Sequence, residues 1–248
     1  SSLLDSPDCL PILSFGNWVG GDRDGHPLVT AEVTRETLAE LRTNALQLLR
    51  EKLTELTRRL SLSEFLQRPP ERLLDRIETT ADALGTAGTQ AVERNPDEPW
   101  RQFVNLMIAQ LPIDEDKLSD TQEAYATSDE LLSDLQFLRR QLMEVGADRI
   151  AERDVDPVSR AAQTFGFHLA ALDIRQNSQF HDRAVAQLMS AAGMDGEDFL
   201  EWGESERLDV LNRELSSPRP FTQPDMNLGA EAEAVLSCFQ EVSDHIKT

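Results

Sequence analysis

The stretch Phe15-Gly16-Asn17-Trp18-Val19-Gly20-Gly21-Asp22-Arg23-Asp24-Gly25-His26-Pro27 decides how the rest of the chain is read. Residues 12–19 form a short, mostly apolar run without helical spacing, and two glycines and three charged residues follow it. That pattern predicts a buried strand of a parallel sheet. A second run of the same kind, residues 167–174, leads into Leu172-Asp173-Ile174-Arg175-Gln176-Asn177-Ser178, with His181 shortly after. The residues between the two runs read as helix, so the strands are expected to be parallel neighbours joined by a very long helical insertion. Two strands do not make a stable sheet alone, which points to part of something larger.

The helical reading rests on apolar spacing and end signals. Thr30 is expected to cap a helix with the stripe Leu38, Leu41, Ala45, Leu48, Leu49, Leu53, Leu56 and Leu60. A second helix follows Pro70, carrying Leu73, Leu74, Ile77, Ala81 and Leu84, and ends at Gly85; a third starts at Pro99 and stops at Pro112. Thr127 and Glu130 form a capping-box pattern ahead of Leu131, Leu135, Leu138 and Leu142. A short helix is expected from Asp156-Pro157 to Gly166, and others over about 178–192, 205–215 and 229–246. The segments 84–99, 111–127 and 218–229 read as linkers from their Gly/Thr, acidic and proline content.

Composition bounds the partners. With 248 residues and 40% apolar content, the chain can bury a sizeable core. The formal charge of −21 argues against nucleic acid or an anionic membrane, both of which this surface repels. No apolar run approaches the roughly 20 residues that span a bilayer, and no signal-peptide pattern is present, so a cytoplasmic location is expected. Cys9 and Cys238 have no partners at metal-site spacing. No Walker loop, GxGxxG, HExxH or GxSxG occurs. Asp22-x-Asp24-Gly25 starts like a calcium loop, but its twelfth position is Val33, so calcium is rejected.

The charged residues carry what chemistry there is. Charges after an apolar strand stand where α/β barrels place their sites. Asp22 and Asp24 could hold Arg23 ready for an anion through charge-assisted hydrogen bonds, although a Gly-rich turn with solvated charges explains the same pattern equally well. Arg175 suits a phosphate or carboxylate, or forms a buried structural ion pair with Asp173; the pattern leaves both open. His168, within the second run, reads as a core histidine.

Taken together, the two clusters resemble phosphoenolpyruvate carboxylase. That family carries S-W-[IM]-G-G-D-R-D-G-N-P on one barrel strand, matched here by Asn17-Trp18-Val19-Gly20-Gly21-Asp22-Arg23-Asp24-Gly25-His26-Pro27. On the next strand it carries F-G-x-x-L-x-x-[LI]-D-I-R-Q-E-S-x-x-H, matched by Phe165-Gly166-Phe167-His168-Leu169-Ala170-Ala171-Leu172-Asp173-Ile174-Arg175-Gln176-Asn177-Ser178-Gln179-Phe180-His181. Glu214-Leu215-Ser216-Ser217-Pro218-Arg219-Pro220-Phe221 is a third echo. The family's Glu is Asn177 here, and its Asn is His26.

The resemblance implies a mostly α-helical, incomplete (β/α) TIM-like barrel. Residues 1–248 would be one fragment, with strands at about 12–19 and 167–174, a helical insertion over about 30–165 and helices over 178–246. It implies a cytoplasmic lyase that carboxylates phosphoenolpyruvate with bicarbonate to oxaloacetate and phosphate, needs magnesium, feeds the tricarboxylic acid cycle and assembles as a homotetramer. Arg175 would bind the substrate phosphate and Trp18 line the same pocket. Arg23 would stand at the same barrel mouth, with Asp22, Asp24, Asp173 and His181 in support. The family's catalytic histidine, acidic metal ligands and Gly-rich loop match nothing in these residues. No catalytic or metal residue is therefore assigned, and the chain alone is expected to be inactive. The alternative from another class is a non-catalytic acidic helical module that binds a partner.

Overall fold

A computed structural model describes residues 13–24, 26, 28–113, 124–218, 222 and 226–247. These residues group into two compact units, one of 13–15 and 40–171, the other of 16–39 and 172–247. The first helix, α1 (Ala31–Arg59), contributes to both.

The first unit holds the remainder of α1, then α2 (Glu71–Leu84), α3 (Thr86–Glu93), α4 (Pro99–Ala109), α5 (Ser128–Glu144), α6 (Asp148–Ile150), a π-helical turn (Ala151–Val155) and α7 (Asp156–Phe165). Leucines repeating at helical spacing drive this packing. Leu49, Leu53, Leu56 and Leu60 of the α1 stripe lie in one core with Leu131, Leu135, Leu138 and Leu142 of α5. Helix α4 is apolar nearly all round, with Trp100, Phe103, Val104, Leu106 and Met107 fully buried, as expected of a helix with neighbours on every side. Leu74 of the predicted α2 stripe is the exception and stays exposed.

Helix ends follow local chemistry. The Thr30 hydroxyl accepts from Val33 N at the start of α1. At the start of α5 the Glu130 carboxylate accepts from Ala126 N at 2.7 Å and Thr127 N at 3.4 Å, satisfying donors that a helix start leaves free. Glu130→Ala is expected to lower stability by about 1 kcal/mol, read as a shifted urea midpoint with unchanged slope.

The expected linker over 84–99 is instead largely helix α3. Its Gly and Thr content suggested a loop, but Gly88 and Ala91 are buried, and such small residues let a short helix lie close against α2 and α4. The predicted acidic linker falls largely outside the described residues, as does much of the proline-rich one.

The two predicted strands are much shorter than 12–19 and 167–174. A two-stranded parallel sheet pairs β1 (Gly16–Asn17) with β2 (Ala171–Leu172). Ala171 N donates to Phe15 O at 2.8 Å and Asp173 N to Asn17 O at 2.7 Å. The expectation of burial also fails: Leu13, Phe15, Trp18 and Val19 are each at least half exposed. Residues 168–170 make turns, with Leu169 N bonded to Phe165 O and Leu169 at φ 61°, and His168 is exposed in that turn, not buried in a strand. Parallel strands are normally covered on both faces and paired along their length; each strand here has one partner among the described residues, so pairing ends quickly and apolar side chains meet solvent.

The second unit holds the start of α1 with α8 (Ser178–Ala191), α9 (Gly196–Phe199), α10 (Glu204–Leu215) and α11 (Ala230–Lys247). Ala186, Met189 and Phe199 form its core, and α8 packs on α11. Gln187 ties that pair: its Nε2 donates to Glu231 at 2.6 Å and its Oε1 accepts from Ala232 N at 2.9 Å. No helix among the described residues is long and apolar enough to cross a membrane.

Candidate anion site after the paired strands

The candidate residues from the two sequence clusters fall within the second unit. Past the end of β2 the chain stays beside the loop that follows β1: Arg175 N donates to Gly21 O at 3.0 Å, and Arg23 N donates to Arg175 O at 2.9 Å. The main chain of Arg175 is thus gripped from both sides by residues 21–23. The loop can come this close because Gly20 and Gly21 are buried against neighbours. A Cβ on Gly20, at φ +82°, would overlap the Thr37 hydroxyl of α1.

The Arg175 guanidinium lies over the Trp18 ring, 5.3 Å from its centroid. Its Nη2 donates to Asp173 Oδ2 at 3.1 Å, and Nη1 stands 4.0 Å from Asp22 Oδ2. Both residues of the Asp173–Arg175 pair are about half exposed, at 52% and 49%. The pair is therefore not the buried ion pair that the sequence left open. Exposed pairs contribute about 0–1 kcal/mol, so this one does little for the fold and leaves the guanidinium in reach of solutes. A cation over an aromatic face adds about 0.5–1 kcal/mol at such a site, and the ring limits where the guanidinium can go.

Asp24 N donates to Asp22 Oδ1 at 3.0 Å, closing a short turn, and Asp24 Oδ1 accepts from Asn177 Nδ2 at 3.3 Å. Asn177 Oδ1 accepts from Gln179 N at 2.9 Å, so this side chain caps α8 and ties that helix to the loop at once. Its role as a bridge was not foreseen. His181 sits in the first turn of α8, half buried, and no described side-chain contact joins it to Arg175. His26 is exposed.

The Arg23 main chain adjoins Arg175, but its side chain turns to α1. Asp22 faces Arg175 instead of steadying Arg23, and Arg23 is only 9% exposed, its Nη2 donating to Thr34 Oγ1 at 2.5 Å and Thr30 O at 3.4 Å. The side chain of this arginine is thus committed to the first turns of α1. Thr34 had no place in the sequence reading; a fully buried threonine hydroxyl on a helix is visible only once its tertiary neighbours are known.

The cluster can therefore present one half-exposed guanidinium, backed by an aromatic ring and flanked by two carboxylates, to an anion with paired oxygens. Among the described residues no three acidic, histidine or cysteine side chains converge as metal ligands.

A family model for phosphoenolpyruvate carboxylase matches residues 4–248. A phosphoenolpyruvate carboxylase of Aromatoleum aromaticum is 35% identical over 241 residues, covering 92% of this chain and 25% of that protein. One of Rhodothermus marinus is 38% identical over 243 residues, covering 97% and 26%, and one of Rhodopseudomonas palustris is 35% identical over 247 residues, covering 94% and 25%. The chain spans about a quarter of the length of these relatives.

Proposed function

The chain belongs to the phosphoenolpyruvate carboxylase family, and we propose that the full-length protein containing it carboxylates phosphoenolpyruvate, with Arg175 holding the substrate phosphate. The observation that carries this reading is the half-exposed Arg175 guanidinium seated on Trp18 at the end of a parallel strand pair. In this proposal the two strands belong to a (β/α) barrel. Both charged segments leave the same ends of the strands, the end at which such barrels do chemistry.

The guanidinium fork meets two phosphate oxygens, and Trp18 supports it from below. Asp173 and Asp22 keep it oriented while the site is empty, and the phosphate dianion competes with them for its donors. A bicarbonate oxygen then attacks phosphorus as the bond from phosphorus to the enol oxygen breaks, giving carboxyphosphate and the enolate. Carboxyphosphate releases carbon dioxide and phosphate, and the enolate carbon bonds to the carbon dioxide to give oxaloacetate. Asp22, Asp24 and Asp173 are engaged with Arg175 and Asn177 and do not fit a magnesium site, so the magnesium of this proposal is assigned to residues other than these. A cytoplasmic homotetramer is part of the same proposal.

The test is bicarbonate-dependent formation of oxaloacetate from phosphoenolpyruvate by the purified full-length protein, coupled to malate dehydrogenase. Turnover that requires both substrates supports the reading. Background rates at saturating substrate and magnesium would overturn it in favour of a non-catalytic helical module.

A further inference from the structure

We infer that Arg23 is a positioning residue for Arg175, acting through the buried hydroxyl of Thr34; the inference rests on Arg175 being the phosphate ligand. Its geometry is a continuous chain of hydrogen bonds. Arg23 Nη2 donates to Thr34 Oγ1 at 2.5 Å, and Thr34 Oγ1 donates to Gly20 O at 2.7 Å. Gly20 begins the loop whose next residues grip the main chain of Arg175, through Arg175 N to Gly21 O and Arg23 N to Arg175 O. Arg23 therefore fastens that loop twice, by its side chain to α1 and by its main chain to Arg175.

The placement of Arg23 is costly, which argues that something depends on it. It is 9% exposed, it forms no ion pair with a carboxylate among the described residues, and its Nη1 is buried without a hydrogen-bond partner. A buried guanidinium without a counter-ion is among the more expensive arrangements in a protein interior. Cys238 of α11 is buried beside it, and burial pushes that thiol's pKa up against the opposing pull of Arg23, so the thiol does not serve as the counter-ion near neutral pH. What the arginine supplies is reach. Its terminal nitrogen, one bond farther along the side chain than a lysine's, meets both the Thr34 hydroxyl and the Thr30 carbonyl, which holds the 20–23 loop at a fixed distance from α1. An exposed ligand such as Arg175 needs support of this kind, because its own side chain is held by two solvent-accessible carboxylates and a ring face.

The experiment compares Thr34→Val, Thr34→Ser, Arg23→Lys and Arg175→Lys in the full-length protein, reading KM for phosphoenolpyruvate, kcat and Tm. Thr34→Val keeps shape but removes the hydroxyl that joins Arg23 to Gly20; it is expected to raise KM about five- to tenfold with kcat little changed. Thr34→Ser restores the hydroxyl and should return KM to within about twofold of the parent. Adding Thr34→Val to Arg175→Lys should change KM by less than the product of the single effects, because both act on one contact. If Thr34→Val does not fold, Arg23→Lys carries the same expectation. A lowered Tm with unchanged KM, or fully multiplicative effects with Arg175→Lys, overturns the positioning role. If Arg175→Lys itself leaves KM unchanged, the phosphate reading falls, and this inference falls with it. A raised KM in Arg175→Lys beside a normal one in Thr34→Val removes the inference alone.

Discussion

Arg175→Lys in the full-length protein is expected to raise KM for phosphoenolpyruvate, or to cut kcat/KM, by about tenfold or more while Tm stays almost unchanged. The tenfold figure corresponds to about 1.4 kcal/mol of lost binding in the transition state. Its origin is geometric. A guanidinium offers paired donors that match two phosphate oxygens, whereas an ammonium is a single point charge on a flexible stem. Lysine would also sit less well over Trp18, whose ring centroid lies 5.3 Å from the guanidinium carbon. The unchanged Tm follows from exposure: the pair with Asp173 is about half exposed on both sides, and such pairs contribute about 0–1 kcal/mol. Kinetic assay and thermal melting of the same purified variant decide the matter. A clear fall in Tm with intact kcat/KM would make Arg175 a structural residue and remove it from the site.

Much of the helical part was legible because leucine spacing is a local signal. The stripe through Leu49, Leu53, Leu56 and Leu60 is written into the sequence at 3.6-residue intervals, and each of these side chains is buried. Helix α3 was not legible, because Gly88 and Ala91 gain their value from the close approach of α2 and α4, a tertiary property. The strands were recognisable as apolar runs, but their length depends on how many neighbours pair with them, which no run of residues states. The site divides in the same way. Arg175, Trp18, Asp22 and Asp173 could be named from motifs that end apolar runs, yet the partner of Arg23 is Thr34 on α1, and nothing local to Asp22-Arg23-Asp24 points there. Asn177 looked like a mere departure from a pattern, and its bridge to Asp24 exists only once the two loops meet.

Gly21→Ala is expected to lower stability by about 2–4 kcal/mol and to raise KM in the full-length protein. A Cβ at this position would overlap the carbonyl oxygen of Asp173 and come within 3.1 Å of Leu172 Cγ. The obstacle is main chain, so no rotamer change relieves it; the loop and the segment after β2 must separate. Overpacking of this kind costs about 1–3 kcal/mol by itself. Separation also weakens the two hydrogen bonds that hold Arg175, from its N to Gly21 O and from Arg23 N to its O, each contributing about 0.5–1.5 kcal/mol. Gly16 supplies the control within the same segment, since a Cβ there meets nothing within 4 Å. Gly16→Ala should leave stability within about 0.5 kcal/mol of the parent, or raise it slightly by restricting the unfolded chain. Urea unfolding of both variants, followed by helical circular dichroism, measures the difference. Equal midpoints for the two would mean that the loop and the strand end are not in the close contact on which the placement of Arg175 depends, and would remove Arg175 from a site at this loop.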